Sequence, residues 1–318
     1  MNGAALRVGV SALFDPAVTP HARTFMRAMA AGRNGIAALQ RLHWHWLDDG
    51  ADPEQGARVA ERLIDWGADL VIGHFSSDAA LAAAPLYRQA GVALLTPAAT
   101  VDRLTTHDNV LRLCPADRQL ASDLLAWVAR QGWQRLHVQA DSSTHGQALA
   151  AAIVAALAAH GLQSVATVQQ ADAEVFAGRL RPSRLHWQAR RAAGSQRPLL
   201  LTDDAVSRQL GAALVANEPT WAIGFDPGPV DCPAAGWHRQ LFASEPATYY
   251  RETLRLLHVL GQLAERSGAS RAELLAALHS ECFITPLGPV AFQGGECQAL
   301  RTCLWRLGPA GWHASADG

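Results

Sequence analysis

The sequence predicts an α/β protein made of two doubly wound lobes, each with a mainly parallel sheet. Short apolar runs alternate with longer helical patterns along the chain, which is typical of βαβ units. The length of 318 residues suggests two domains rather than one, each large enough to bury its own core. A polar, turn-rich passage at residues 97–106 separates two series of such elements.

The first series contains four strands and three helices. Pro53 fits the first turn of a helix, where its missing N–H costs nothing. The predicted strands are Arg7–Ala12, His43–Leu47, Leu70–Ile72 and Val92–Leu95, and the predicted helices cover about residues 21–31, 53–66 and 78–89.

The second series begins with a helix that Asp117 can cap and Gly132 can end. Its apolar residues recur at helical spacing. A strand at Leu136–Gln139 and a helix from about Gly146 follow. Further strands are predicted at residues 162–168, 199–201 and 221–224.

The last third adds elements to these two sheets rather than forming a third domain. Residues 250–266 are apolar on two adjacent helical stripes, which predicts a well-buried helix. A second helix is predicted at 271–279. Val290–Phe292 and Cys303–Arg306 are predicted to form a terminal hairpin.

The charged residues exclude several classes of protein. There are 27 basic and 28 acidic side chains, a formal net charge of 27 − 28 = −1, and every basic residue is Arg. Without Lys the chain can form neither a phosphate-binding loop ending in Gly-Lys-Ser/Thr nor a Schiff base. The neutral balance gives no general attraction to nucleic acid or to an anionic membrane. No run of about 18 apolar residues suggests a membrane span.

The cysteines and the N-terminus both favour a reducing compartment. Cys114, Cys232, Cys282, Cys297 and Cys303 form no CxxC pair and are odd in number, so they predict neither a zinc cluster nor a disulfide framework. No basic segment followed by an apolar run precedes the first strand. As written, the sequence therefore suggests a cytoplasmic protein.

Candidate site residues follow the predicted strands, because ligands of open parallel sheets bind beyond the carboxyl ends of the strands. Hydroxyls and N–H groups at a helix start can receive a carboxylate, and an Asp can receive an ammonium group, so the set suits a zwitterion. The candidates are Ser76, Ser77, Ala98, Ala99, Thr100, His145, Asp203, Asp204 and Asp226.

Structural roles explain many of these residues equally well. Ser76 or Ser77 can cap the next helix, Thr100 can belong to a turn, and Asp203-Asp204 can cap a helix beginning near Val206. His145 alone fits a helix start or a surface position. His43 and His45 could share a metal ion, but no third ligand lies nearby in the sequence. The Arg-rich segment 179–197 fits a solvated helix face better than a nucleic-acid surface.

No feature of the sequence supports catalysis. GxSxG, HExxH and GxGxxG motifs are absent, and no cysteine lies in a recognisable nucleophile setting. No helix-turn-helix precedes the first strand, so a DNA-binding repressor is not indicated. We expect a non-enzymatic protein with no cofactor and no metal.

Four consecutive pieces of residues 47–105 carry a resemblance to a known family. They are DDGADPE, DLVIGHFSS, AAPLYRQAGV and LLTPAAT, and looser likeness continues through DSSTHGQAL and TPLGPVAF. In order and spacing, the chain resembles the type I periplasmic binding proteins of the leucine/isoleucine/valine-binding and amide-binding kind. This resemblance implies two Rossmann-like lobes with a ligand cleft between them, which close on an amino acid or small amide.

The resemblance also implies an organisation and a site. The first lobe would contain residues 1–115 and about 236–286, and the second lobe residues 116–235 and about 287–318, with hinge crossings near 115, 235 and 287. Ser76 and Thr100, with the backbone at Ala98, would hold the ligand's carboxylate or carboxamide. Asp226 corresponds to the family's acidic residue for the α-ammonium.

Two departures from the family bear on ligand and function. His145 and Asp204 stand where many members have Tyr, so the second-lobe wall is more polar and a branched aliphatic ligand is not the safe expectation. Members that feed transporters carry an export signal, and no such signal is seen before the first predicted strand of this sequence. We expect a solute-binding protein that belongs to a branched-chain amino acid-type ABC transporter or derives from one. It would be periplasmic if the start is misassigned or a signal has been removed. The alternative is a cytosolic amide or amino-acid sensor that regulates a partner protein.

The expected partners are a small-molecule ligand, which is an amino acid, an amide or a urea-like compound, and either an ABC permease or a regulatory protein.

Overall fold

The computed structural model describes residues 5–213, 215, 218–228, 233–266, 268–298 and 300–315. Cys232, one of the five cysteines considered above, lies outside these residues. The helices are α1 (Pro20–Gly35), α2 (Pro53–Trp66), α3 (Ser77–Gln89), α4 (Asp117–Arg130), α5 (Thr144–Ala156), α6 (Leu180–Ala192), α7 (Pro233–Phe242), α8 (Tyr250–Leu263) and α9 (Arg271–Ser280). The strands are β1 (Arg7–Ala12), β2 (His43–Asp48), β3 (Leu70–Gly73), β4 (Ala93–Thr96), β5 (Val110–Arg112), β6 (Arg135–Ala140), β7 (Gln163–Ser164), β8 (Ala173–Ala177), β9 (Leu199–Leu201), β10 (Thr220–Phe225), β11 (Phe283–Thr285), β12 (Gly288–Val290), β13 (Phe292–Gln293), β14 (Glu296–Cys297), β15 (Thr302–Gly308) and β16 (Gly311–Ala314).

The chain divides into two compact units, and it passes from one to the other three times. The first unit contains residues 1–114 and 228–300, and the second contains residues 115–227 and 301–318. Sequence reasoning placed the later crossings near 235 and 287. Residues 287–300 belong instead to the first unit, because Glu296 in β14 pairs with Arg112 in β5 of the first sheet.

The first unit has a sheet of order β13-β14-β5-β4-β3-β1-β2. All neighbours from β14 to β2 run parallel, and β13 joins β14 as an antiparallel hairpin. The chain reverses its direction of travel across the sheet between β1 and β3. Such a switch point leaves a crevice beyond the carboxyl ends of the strands.

The second unit repeats this plan with the order β16-β15-β10-β9-β8-β6-β7. Strands β10, β9, β8, β6 and β7 run parallel, and β15 and β16 extend the sheet in antiparallel fashion. The switch point lies between β6 and β8. The predicted fold class, two doubly wound α/β units, is confirmed.

Local signals in the sequence explain why the elements of the first unit form and end where they do. Asp52 caps α2 by accepting from the N–H of Gln55 (2.9 Å), and Gly67, with φ +85°, ends that helix. Helix α9 begins with a capping box in which Ser270 and Glu273 satisfy each other's backbone N–H groups. The buried face of α8 packs in the same hydrophobic core as Phe25 and Met29 of α1.

Several elements differ from the sequence expectation. Residues 302–308 pair with residues 311–314, so the predicted hairpin of Val290–Phe292 with Cys303–Arg306 is wrong; Val290 pairs with Phe283 instead. Strand β7 covers only two residues of the expected strand at 162–168. Asp203–Ala205 form a 3₁₀ turn, and within the described residues no α-helix begins near Val206.

Candidate functional site

Ser76 and Ser77 lie where β3 leads into α3, at the carboxyl edge of the first sheet. Ser76 is the N-cap of α3: its Oγ accepts from the N–H of Asp78 (3.2 Å) and donates to the carbonyl of Ala51 (3.5 Å). Ser76 is half-buried, and Ser77 is buried. The capping role considered above is therefore present, and it places the Ser76 hydroxyl at the edge where ligands of open α/β sheets bind.

The loop that follows β4 contains the other first-unit candidates, Ala98, Ala99 and Thr100, all of them buried. The N–H groups of Ala98 and Ala99 face the Oγ1 of Thr96, at 3.4 and 3.2 Å. Thr96 itself donates to the carbonyl of His74, at 3.1 Å. One hydroxyl thus connects the loop after β4 to the loop after β3.

Arg112, a fully buried residue on β5, fixes the same loop from the other side. Its Nη1 donates to the carbonyls of Thr100 (2.6 Å), Val101 (2.8 Å) and Ala99 (3.3 Å). Its Nε and Nη2 donate to the two carboxylate oxygens of Glu296, which lies on β14. These charge-assisted bonds hold the carbonyls of the loop against β5.

A buried polar network lies where the first, second and third strands end. His74 Nδ1 lies 2.7 Å from Asp49 Oδ2 and its Nε2 lies 3.2 Å from the hydroxyl of Tyr87, while Ser11 donates to Asp49 (3.0 Å). The pKa of Asp49 is lowered overall. Burial alone would raise this pKa, but the interactions with His74 and the hydrogen bonds from the N–H of Ala51 and from Ser11 outweigh burial. Burial and the charge of Asp49 raise the pKa of Tyr87 well above its ordinary value.

Aromatic rings lie beside Ser76 in the first unit. Phe75 is half-buried and meets Phe25 (4.7 Å between centroids) and Tyr249 (5.6 Å) edge to face. Phe14, which follows β1, lies 6.3 Å from Phe25. This edge of the first sheet therefore combines hydroxyl groups and a helix N-terminus with an apolar, aromatic surface.

In the second unit, His145, Asp203 and Asp204 converge at the carboxyl edge of the sheet. His145 belongs to the first turn of α5, which follows β6, and the two Asp residues form the 3₁₀ turn directly after β9. One atom from each side chain lies within 4.8 Å of the others. His145 Nε2 and Asp203 Oδ1 are 3.4 Å apart.

The carboxylates keep His145 positively charged. Burial alone would lower the pKa of His145. The negative charge and hydrogen bond of Asp203, followed by the charges of Asp204 and Asp117, outweigh burial and raise this pKa to about 10. The first turn of a helix is the positive end of its dipole, which also opposes an imidazolium. The group of His145, Asp203 and Asp204 therefore combines one imidazolium with two carboxylates.

Asp226 follows β10, the neighbour of β9, and so reaches the same edge as Asp203. Its N–H donates to the carbonyl of Arg301 (3.0 Å), which fixes its backbone. Its carboxylate acts on the adjacent strand β15: burial first, and the charge of Asp226 second, raise the pKa of the Cys303 thiol to about 11. Cys303 and the exposed Cys282 are free thiols.

The structure thus brings the sequence candidates together in two sets, one at the edge of each sheet. Sequence reasoning missed three sets of side-chain contacts. These are the pair of Asp203 with His145, the ion pair of Arg112 with Glu296, and the network of Asp49, His74 and Tyr87. One signal was available: Arg112 stands in the otherwise apolar run Val110–Cys114, and a buried guanidinium requires a carboxylate partner. Among the described residues, the side chains close enough together to hold a metal ion are those of His145, Asp203 and Asp204. His43 and His45 do not belong to this group.

Comparison with known proteins identifies the family. The sequence profile of the periplasmic binding protein family matches residues 7–184. An amino acid binding protein of Pseudomonas aeruginosa is 34% identical over 142 residues, 43% of this chain and 36% of that protein. A Leu/Ile/Val-binding protein of Rhizobium johnstonii is 28% identical over 190 residues, 56% of this chain and 52% of that protein. The chain therefore spans between about a third and about half of the length of these relatives.

Solved structures agree on the fold. The crystal structure of a leucine binding protein from Thermotoga maritima superposes with a TM-score of 0.87 at 18% identity, over 98% of each chain. The chain belongs to the type I periplasmic binding protein family. Among the described residues, no helix combines the length and apolar character that crossing a membrane requires.

Proposed function

We propose that this chain is a non-enzymatic solute-binding protein for a small amino-acid-like or amide ligand. It serves as the substrate-binding component of a branched-chain amino acid-type ABC transporter, or derives from one. The observation that carries the proposal is the complementary chemistry of the two sheet edges. Hydroxyl groups and the N-terminus of α3 follow β3, a hydroxyl group follows β4, and carboxylates follow β9 and β10.

The donors of the first unit suit the ligand's carboxylate or carboxamide. Ser76 and Thr100 provide hydroxyls, Ser77 lies in the first turn of α3, and the backbone at Ala98 and Ala99 is held by Thr96 and Arg112. A helix N-terminus adds the positive end of its dipole, which favours an anion. Phe75 offers an apolar surface for the rest of the ligand.

The acidic residues of the second unit suit a cationic group. Asp226 receives the α-ammonium, and His145 and Asp204 contact the remaining part of the ligand. A carboxylate that accepts from an ammonium forms a charge-assisted hydrogen bond, about twice as strong as a neutral one. Binding energy of this kind holds a ligand reversibly and requires no nucleophile or base.

The family's periplasmic members support the periplasm as the place of action and an ABC permease as the partner. Fractionation of cells that express the native gene tests this placement. Recovery with the periplasmic proteins agrees with the proposal. Recovery with the cytoplasmic proteins contradicts it and favours a sensor that regulates another protein.

Substitutions at the first-unit donors test the site. Ser76→Ala and Thr100→Val should each weaken ligand binding without unfolding the protein, measured by calorimetry with the tightest amino acid or amide from a thermal-shift screen. Ser76→Ala also removes a helix cap, worth about 1 kcal/mol. Ser270→Ala is the matched control, because it removes the cap of α9 in the same unit. Unchanged affinity in both donor variants would eliminate this site.

A further inference from the structure

A buried polar group lies beneath the carboxyl edge of the first sheet, and the proposed function gives it no role. Its members are Ser11, Asp49, His74 and Tyr87, and each of them is 0% exposed. None of these side chains can touch a ligand, so any effect on binding must act through a neighbour. A buried network whose hydrogen bonds are all made fixes the geometry of the groups around it.

Asp49 is the acceptor at the centre of this group. Its Oδ2 lies 2.7 Å from His74 Nδ1 and accepts from the hydroxyl of Ser11 (3.0 Å), and its Oδ1 accepts from the N–H of Ala51 (2.9 Å). Because an ionised carboxylate has no hydrogen to give, His74 Nδ1 carries the hydrogen and donates it. Ser11 and His74 therefore fix the rotation of the Asp49 side chain, and with it the bond to Ala51.

The bond from Ala51 to Asp49 holds a strained turn. Gly50 and Ala51 have φ values of +60° and +54°, so both lie in the left-handed region. That region is unfavourable for a residue with a Cβ, whereas glycine adopts it readily. The Asp49 carboxylate offsets the strain by accepting the N–H two residues further on, as in an Asx turn. Without this acceptor, Ala51 should leave the left-handed region.

The carbonyl of Ala51 contacts the candidate ligand-binding hydroxyl. It accepts from Ser76 Oγ at 3.5 Å, which is at the upper limit of a hydrogen bond, so a ligand carboxylate can take over this hydrogen. The strained turn therefore lies directly against Ser76, and a change in the turn should change the position of the hydroxyl.

His74 connects the same group to the loop after β4. Its backbone carbonyl accepts from Thr96 Oγ1 (3.1 Å), and that oxygen accepts from the N–H groups of Ala98 and Ala99. Thr100 follows these residues directly. The segments that contain the two candidate hydroxyls are thus both tied to the pair of Asp49 and His74.

We propose that Asp49 is a positioning residue for ligand binding: oriented by His74, its carboxylate holds the left-handed turn at Ala51 that keeps the Ser76 hydroxyl in its binding position. The inference rests on the proposed function and names the residue that orders the same site. It also gives a role to the segment DDGAD, residues 48–52, which carries part of the family resemblance.

A double-mutant cycle tests the path through the turn. The probes are the standard L-amino acids and acetamide, and calorimetry measures the affinity of each one that binds the wild-type protein. Asp49→Ala removes the acceptor, so it should weaken binding by about 10-fold. In an Ala51→Gly background the same substitution should weaken binding by a factor at least about 3-fold smaller, because glycine adopts the turn unaided. A general loss of packing would not be relieved by glycine at position 51.

Two further variants keep the test decisive. Asp49→Asn serves if Asp49→Ala does not fold: it keeps the side-chain volume but offers one acceptor oxygen to groups that donate, so it should weaken binding in the same way. Asn109→Ala is the stability control, because Asn109 is buried and donates to the carbonyls of Ala84 and Val92 at the opposite edge of the sheet. It should lower the melting temperature and leave the affinity unchanged.

The possible results separate the inference from the proposed function. If the Asp49 variants bind as tightly as wild type, the inference is wrong while the proposed function stands. The same holds if Ala51→Gly relieves none of their loss, or if Asn109→Ala loses as much affinity as they do. If no probe binds the wild-type protein, both are wrong.

Discussion

Among the residues that the structure describes, Arg112 is the largest side chain that is completely buried, and Glu296 provides its charge partner. Two observations make this pair more than a surface contact. The guanidinium is 0% exposed, and it donates to three consecutive carbonyls of the loop that contains Thr100. Removing one member of a buried pair leaves an uncompensated charge, which is strongly destabilising.

Glu296→Ala should therefore lower the free energy of unfolding by about 3 kcal/mol or more, measured by urea denaturation. The matched control is Glu281→Ala, which breaks the exposed pair of Arg266 with Glu281 and should change stability little. Equal losses in the two variants would show that Arg112 does not depend on Glu296.

The raised pKa of His145 predicts a dependence of stability on pH. The folded-state pKa, about 10, lies above the ordinary value of 6.5. The pair with Asp203 thus contributes its full stability below about pH 6.5 and loses it as the pH rises through 10. His145→Gln should be less stable than wild type at pH 6, and the difference should shrink toward pH 10.

Urea denaturation of both proteins between pH 6 and pH 10 measures that difference. His137→Gln, which changes a half-buried histidine of the same unit bonded to the carbonyl of Val165, provides the control. A difference for His145→Gln that stays constant across the range would mean that the imidazole is not charged in the folded protein.

At the scale of the elements, α2 and α3 approach each other closely because of Gly56. A Cβ built on Gly56 would lie 2.8 Å from the Cα of Ala79, a backbone atom that cannot move aside alone. Gly56→Ala should therefore destabilise the protein by about 1–3 kcal/mol, the usual cost of overpacking.

Gly236→Ala makes the matched comparison in α7, where the glycine is exposed and a Cβ would meet nothing within 4 Å. It should stabilise the protein by roughly 0.5–1 kcal/mol, because Ala has the higher helix propensity. Thermal and urea denaturation measure both variants. Shifts of the same sign would contradict this account of the contact between α2 and α3.

The elements were predictable to different degrees, and local signals explain the difference. Residues 7–12, 53–66 and 199–201 match their predicted bounds, because apolar runs and the proline and glycine at the ends of α2 mark them. Strands β5 and β8 were missed, since Val110–Arg112 contains a buried Arg and Ala173–Ala177 a Glu. The hairpin error has a long-range cause, because residues about 180 apart in the chain, Arg112 and Glu296, decide where β14 pairs.

The site shows the same division. Positions after strands could be recognised one at a time, so Ser76, Thr100, His145, Asp204 and Asp226 were all identified as candidates. The contacts among side chains could not be predicted from the sequence, because Asp203 lies next to His145 only when β6 and β9 occupy their places in the folded sheet. Sequence pattern thus predicts where polar groups emerge, and tertiary structure decides which of them meet.

At the scale of the whole molecule, the stability of this family member should depend on a small ligand. A ligand that binds only the folded state stabilises it by mass action, by about 2.7 kcal/mol at a free concentration of 100 times its Kd. For a protein of this size, such an increase raises the melting temperature by a few degrees.

The central claim, that the chain binds an amino-acid-like or amide solute, is tested most directly by thermal denaturation of the purified protein. The screen should contain basic, neutral and aromatic amino acids, small amides and ureas, each at millimolar concentration. We predict that at least one compound raises the melting temperature by several degrees and that Ser76→Ala reduces this rise, while Ser270→Ala does not. A melting temperature that no compound changes would contradict the claim.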